Sequence, residues 1–262
     1  MNIQNNVNND IKFFAKSEIR LKILNELYKQ PNNVRGLVKK TKITYSSVSS
    51  NILKLEKNNH VQKIKNDYHV TPMAEVYLKT LMDFKKSVDI VNDYDAFWNK
   101  HNLNQLSINS IKRISDLKDS KLIETTPIDI YKTHNTIRNQ MTDSTNVKAI
   151  FPYLHPDYPG VMEGILENKG HVELIVPQSI FKELILRMNG KTRKNVIKRK
   201  KLKIYKSKEP LNLYLSICDA SMSLGLFKTD GSFDQNRILI SDNSHAYRWA
   251  SELFEHVKQQ VV

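Results

Sequence analysis

Between residues 16 and 72 the spacing of apolar side chains switches from a helical period to a strand period within one short stretch. Ile19, Ile23, Leu24 and Leu27 recur at helical spacing over about 16–29, and Pro31 ends that helix. Leu37 and Val38 give a short helix over about 34–40 an inward side. Thr44 reads as an N-cap, and Val48, Ile52 and Leu55 form one buried stripe on the helix it opens, which runs to about Asn58. Two short alternating runs, Val61–Ile64 and Tyr68–Val70, flank the turn pair Asn66-Asp67 and predict a β-hairpin. Thr71-Pro72 then suits the start of a further helix.

Three helices and a hairpin in this order describe a winged helix-turn-helix. In such a module the third helix lies in the DNA major groove, so its outward side chains must be polar and small. Off the Val48/Ile52/Leu55 stripe stand Tyr45, Ser46, Ser47, Ser49, Ser50, Asn51 and Lys54. Serine hydroxyls suit phosphates and several base edges, and Asn51 has the donor and acceptor that pair with adenine. The expected DNA contacts are Arg35, Thr44, Tyr45, Ser46, Ser47, Ser50, Asn51 and Lys54, with Lys63, Lys65 and His69 on the wing. The alternative is a helical subdomain whose polar side is merely solvated. Serine favours caps over helix interiors, so a serine-rich helix face weighs against it.

Charge points the same way. The 262 residues carry 41 Lys+Arg against 27 Asp+Glu, a formal net charge of +14. The excess is zoned: residues 1–80 hold 14 basic and 6 acidic side chains, and residues 191–208 hold 10 basic and none acidic. A polyanionic partner is implied, with double-stranded DNA the first candidate. A 40% hydrophobic content excludes wholesale disorder. Cys218 stands alone, so neither an internal disulfide nor a cysteine zinc site can form, and a reducing compartment is expected. No apolar run reaches the roughly 18 residues of a membrane helix, and MNIQNNVNND has no signal-peptide character. A soluble cytoplasmic protein with no cofactor and no metal is the expectation.

The helix from Pro72 is expected to run to about Trp98. Along it Tyr77, Leu81, Phe84, Val88, Val91, Tyr94 and Trp98 approximate a heptad seam. Either the seam joins two copies as a homodimer or it packs on the chain's own second domain. Strand-like runs follow at 121–126, 147–151, 171–176, 202–206, 212–218, 222–228 and 237–241. Helical segments fit 129–142, 160–168, 178–189 and 243–259. Asp230-Gly231 marks a hairpin turn. Alternating strands and helices followed by consecutive strands predict an α/β domain with a mixed sheet. The expected organisation is a disordered tail over 1–11, the winged helix over 12–72, a linker helix over 73–99 and an α/β regulatory domain over 100–262.

The first module resembles the ArsR-like winged-helix regulators of archaea and bacteria at Ser17–Leu24, Thr44–Glu56 and Tyr68–Pro72. The cysteine pair of the family's metal sensors is missing, so metal sensing is not expected. Residues 100–262 resemble the second domain of archaeal regulators of the methanogenesis-regulatory (Fil-type) winged-helix family. Gly225–Asp234, Leu239–Asp242 and Trp249–Phe254 carry that resemblance.

Such domains are similar to the phospholipase-D fold, whose chemistry needs a His, a Lys two residues on and an Asp five beyond that. Here His134 is followed by Thr136, His155 by Asp157 and His171 by Glu173, while His256 has Lys258 but no later Asp. A phospholipase-D-like domain without its catalytic motif, and a protein that is no enzyme, are therefore expected. The resemblance implies a sequence-specific transcription regulator, repressor or activator, that answers a signal through its second domain. The rivals are a phosphodiesterase or nuclease of that fold and a nucleoid-type nucleic-acid-binding protein without a sensor. A small, anionic effector is expected to meet Tyr153, His155 and Tyr158 in the proline-rich 151–160 loop, with the basic 191–208 run adding charge.

Overall fold

Side-chain caps set where the first helices begin. Ser17 Oγ accepts the Arg20 amide at 3.3 Å, Asn33 Oδ1 the Gly36 amide at 3.0 Å, and Thr44 Oγ1 the Ser47 amide at 3.4 Å. Each cap satisfies a donor that the helix itself leaves without a partner. They open α2 (Glu18–Lys29), α3 (Val34–Thr41) and α4 (Tyr45–Lys57), and a shorter α1 (Asn9–Ala15) precedes them. This computed structural model describes residues 9–190 and 201–261. The end of the expected tail is therefore helical from Asn9. Phe14 anchors that helix by packing its ring against His60 at 4.6 Å and Tyr77 at 5.7 Å.

The chain divides into two units, Met1–Lys85 and Lys86–Val262. In the first, Ile23, Leu24, Leu27, Leu37, Val48, Ile52 and Leu55 make the core, closed by Val61, Tyr68 and Leu78. The hairpin is β1 (Val61–Ile64) and β2 (Asp67–Val70), with Ile64 opposite Asp67. Its turn is Lys65-Asn66, one residue earlier than the sequence suggests, and Lys65 takes a positive φ of 56°.

α5 (Pro72–Asp93) follows, then α6 (Asp95–Lys100) and a short α7 (Ile108–Lys112). The long helix expected to reach Trp98 thus breaks at Tyr94. There the Tyr94 hydroxyl donates to the Ser120 carbonyl at 2.9 Å, and Trp98 Nε1 donates to the Ile90 carbonyl at 3.0 Å. The apolar stripe splits accordingly. Tyr77 and Leu81 pack on the first core, Tyr94 and Trp98 join the second, and Phe84, Val88 and Val91 stay exposed.

The second unit is built on seven described strands. They are β3 (Lys121–Glu124), β4 (Asn146–Ile150), β5 (His171–Pro177), β6 (Leu202–Ser207), β7 (Leu213–Cys218), β8 (Ser221–Leu226) and β9 (Arg237–Ser241). Their order is β3-β9-β8-β7-β4-β5-β6. The β4-β5-β6 pairs are parallel and the rest antiparallel, so the sheet is mixed as expected.

Every residue of β7 is buried, because both sheet faces are covered. Alternation sends Leu213, Leu215 and Ile217 to one face and Tyr214 and Cys218 to the other. On the first face lies α11 (Ser244–Val261), offering Trp249, Leu253 and Phe254. Trp249 Nε1 also donates to the Ser110 carbonyl at 2.9 Å. On the second lie α8 (Lys132–Thr142), α9 (Tyr158–Glu167) and α10 (Gln178–Arg187). Asp230 holds the predicted turn by accepting the Ser232 amide at 2.8 Å, and Gly231 there takes a φ of 85°. Most of the basic 191–208 run lies outside the described residues.

Candidate nucleic-acid interface and ligand loop

Burial of one stripe decides which way α4 faces. Val48, Ile52 and Leu55 are at most 1% exposed, so the opposite side must meet solvent. There Tyr45, Ser46, Ser50, Leu53, Lys54 and Lys57 are exposed and Ser49 is half-buried, and together they line a shallow surface concavity. Tyr45, Ser46, Ser50 and Lys54 therefore share one surface. Leu53 and Lys57 are not among the expected contacts, although their spacing of four and eight residues from Ser49 places them on the same face.

Three expected residues have other bonds. Thr44 spends its hydroxyl on the cap, Ser47 is half-buried, and half-buried Asn51 donates one Nδ2 hydrogen to the Ser47 carbonyl at 2.8 Å. The second Nδ2 hydrogen and Oδ1 of Asn51 are left for another partner.

The hairpin exposes Lys63 and Lys65, with His69 half-buried, and Arg35 is exposed on α3. Lys63 Nζ lies over the Tyr68 ring at 5.7 Å. Residues 35–65 contain eight basic side chains against one acidic, Glu56. A small polar helix face beside exposed lysines can take a phosphate backbone and present hydroxyls to base edges.

The second cluster lies in the other unit, in the loop that follows β4. Loops at the carboxyl ends of parallel strands are where α/β sheets hold ligands. Tyr158 is buried and stacks on Phe151 with centroids 4.2 Å apart. It forms the floor of the loop, not an open edge. Its hydroxyl donates to the Tyr153 hydroxyl at 3.4 Å. Burial raises the pKa of both phenols, and of Tyr214 beneath them, so all three stay neutral donors.

His155 meets partners that its sequence neighbours do not reveal. The His134 ring, from the first turn of α8, stacks on it at 3.5 Å. His134 Nε2 lies 2.9 Å from Asp157 Oδ2, and the Asp157 amide donates to His155 Nδ1 at 3.2 Å. Arg138 Nη1 is 3.9 Å from the same carboxylate. The His134 bond holds the Asp157 carboxyl below its usual range, while burial and the neighbouring His134 lower His155. No spacing rule joins residue 134 to 155, so only the fold could bring them together.

Residues 130–260 match the model of the middle domain of the methanogenesis regulatory protein FilR1, and residues 8–89 match that of its N-terminal domain. The chain belongs to the FilR1 family. A curated relative, the methanogenesis regulatory protein FilR1 of Methanothrix harundinacea (strain 6Ac), is 22% identical over 253 residues. That alignment covers 95% of this chain and 57% of the relative, so the chain spans little over half of that FilR1's length. The helices and hairpin of the first unit fall within the FilR1 N-terminal match, and His134, His155 and Asp157 within the middle-domain match.

Solved structures are only faintly similar. TrmBL2, described as an archaeal chromatin protein with a novel mode of DNA binding, is 10% identical with a TM-score of 0.43 over 95% of both chains. An IclR transcriptional regulator from Alicyclobacillus acidocaldarius is 8% identical with a TM-score of 0.25, covering 98% of this chain and 100% of that one.

Proposed function

We propose that this chain is a sequence-specific DNA-binding transcription regulator, not an enzyme, and that it works in the cytoplasm. α2, α3, α4 and the hairpin act as an ArsR-like winged helix-turn-helix. The observation that carries this reading is the orientation of α4. Its apolar stripe is wholly buried, and Tyr45, Ser46, Ser50, Lys54 and Lys57 are turned outward together. Membership of a family named for regulation supports it. In this reading Lys63 and Lys65 hold the phosphate backbone while Ser46, Ser50 and Asn51 meet base edges.

The regulator acts as a homodimer, since two-fold symmetric proteins fit paired half-sites about one helical turn apart. Phe84, Val88 and Val91, exposed on α5, are the seam. The second unit, a phospholipase-D-like domain that does no chemistry, is the sensor. A small effector bound near Tyr153 and His155 favours one dimer arrangement, and linkage then changes DNA affinity by the same coupling energy.

Genomic footprinting followed by titration of a recovered site against random duplex tests this at physiological salt. Specific binders prefer their site by about 10³-fold or more. Equal affinity for both duplexes would favour a nucleoid-type protein, and strand cleavage without added metal would favour a nuclease.

A further inference from the structure

The second unit gathers two imidazoles and a carboxylate for which the DNA-reading surface has no use. His134 enters from α8, and His155 and Asp157 from the loop after β4. One ligand-capable atom from each lies within 4.8 Å of those of the other two. We propose that His134, His155 and Asp157 bind a first-row divalent transition-metal ion through two ring nitrogens and one carboxylate oxygen.

The donor chemistry sets the class of ion. Two imidazoles with a carboxylate suit zinc, nickel, iron or copper, whereas magnesium and calcium prefer oxygen ligands throughout. Thiolate selection plays no part. Cys218 is buried and its thiol is pushed up to about 12. Three protein ligands leave positions for water or an incoming anion, which is the pattern of an exchangeable site and not of a closed structural one.

Both sides of the cluster are anchored. Next to His134, Thr133 Oγ1 donates to the Gln235 carbonyl at 2.7 Å, and Ile137 and Met141 hold α8 on the sheet. Next to Asp157, Tyr158 is locked by its stack on Phe151. The ligand side chains are half-buried, which leaves an ion a route in.

A plain His134–Asp157 ion pair accounts for two of the three groups. It does not account for His155, whose ring lies face to face with His134 at an interplanar angle of 23°. Two imidazoles in that position repel if both are charged, and an ion makes them useful together. Coordination requires the stacked rings to fan apart about χ2 so that their lone pairs converge. It also takes His155 Nδ1, or its flipped ring, away from the Asp157 amide. Arg138, 3.9 Å from the carboxylate, opposes the ion's charge and keeps affinity moderate. This proposal does not depend on the DNA-reading proposal.

The test uses the untagged full chain, stripped with a chelator and titrated with Co²⁺ while visible absorption is recorded. One Co²⁺ per chain is expected, with ligand-field bands that Zn²⁺ bleaches. His134→Ala, His155→Ala and Asp157→Asn should each lower Co²⁺ affinity by more than the about 10–100-fold that loss of an outer-sphere partner costs. His171→Ala, at the exposed first residue of β5, should bind as the parent does. Circular dichroism of each variant separates lost binding from lost folding, and His155→Gln replaces any variant that fails to fold. Absence of Co²⁺ binding by the folded parent would overturn the proposal. So would parent-like affinity in folded His155 variants.

Discussion

Asn32 and Tyr68 exchange both backbone hydrogen bonds, Tyr68 N to Asn32 O at 2.8 Å and Asn32 N to Tyr68 O at 3.3 Å. The segment after α2 thereby becomes a one-residue third strand on the hairpin. The Tyr68 ring lies in the core of the first unit while Lys63 lies over it. The hairpin is thus tied through β2 to the segment between α2 and α3 by backbone bonds as well as by packing on the core.

Asn51→Ala should weaken binding to the preferred site by about 1–3 kcal/mol and relax the preference at one base pair. Lys65→Ala should weaken binding to all sequences alike and lower the salt slope by about one. Titrations of specific and random duplex at several salt concentrations check both. Parent-like binding by both variants would remove α4 and the hairpin as the DNA-reading elements.

The split of the apolar stripe separates two substitutions on α5. Phe84→Asp combined with Val88→Asp should give a folded monomer, because both positions are exposed. Leu81→Asp should instead destabilise the first unit, since Leu81 packs against its core. Sedimentation combined with thermal unfolding distinguishes these outcomes. A dimer that survives the double substitution would place the interface elsewhere.

Trp249→Ala should cost the second unit about 3–5 kcal/mol through the cavity it leaves, as large aromatic truncations do. It also leaves the Ser110 carbonyl without its Nε1 donor. Urea unfolding measures the loss, and Trp249→Phe, which keeps most of the volume, should cost less.

Asp219 ties part of the acid stability to a single turn. Its carboxylate accepts the Thr145 amide at 2.7 Å and the Asn146 amide at 2.9 Å, which holds its pKa below the ordinary value. The folded state therefore takes up this proton less readily than the unfolded chain. The carboxylate's contribution is complete above the unfolded value of about 3.9 and is lost as pH falls below it. Urea midpoints at neutral pH and near pH 3.5 should fall further apart in the parent than in Asp219→Asn. An equal drop in both would assign the acid loss to other carboxylates.

Local chemistry made most elements legible in advance. Thr44 and Thr71-Pro72 marked helix starts, the Val48/Ile52/Leu55 spacing gave the rotation of α4, and each strand-like run became a strand within a few residues of its expected limits. The misses came from contacts distant in sequence. The helix break at Tyr94 rests on a bond to Ser120, and α1 owes its place to the His60 and Tyr77 rings. Arg35, Tyr45, Lys54, Lys63 and Lys65 could be read as surface residues from periodicity alone. Asn51's bond to Ser47 and the meeting of His134 with His155 could not, because neither alters an apolar pattern.

The pairing of β3 with β9 has a consequence for biosynthesis. Glu124 lies opposite Arg237 and Lys121 opposite Ile240, so the strand that leads the sheet in sequence joins it last. On the ribosome β3 emerges long before its neighbour exists, with a bare hydrogen-bonding edge that other chains can capture. The nascent sheet must assemble through β4, β5 and β6 and then accept β7, β8 and β9 before that edge is covered. Maturation of the second unit is therefore set by late, long-range strand closure, and chaperone demand should peak after β3 emerges and end once β9 has been translated.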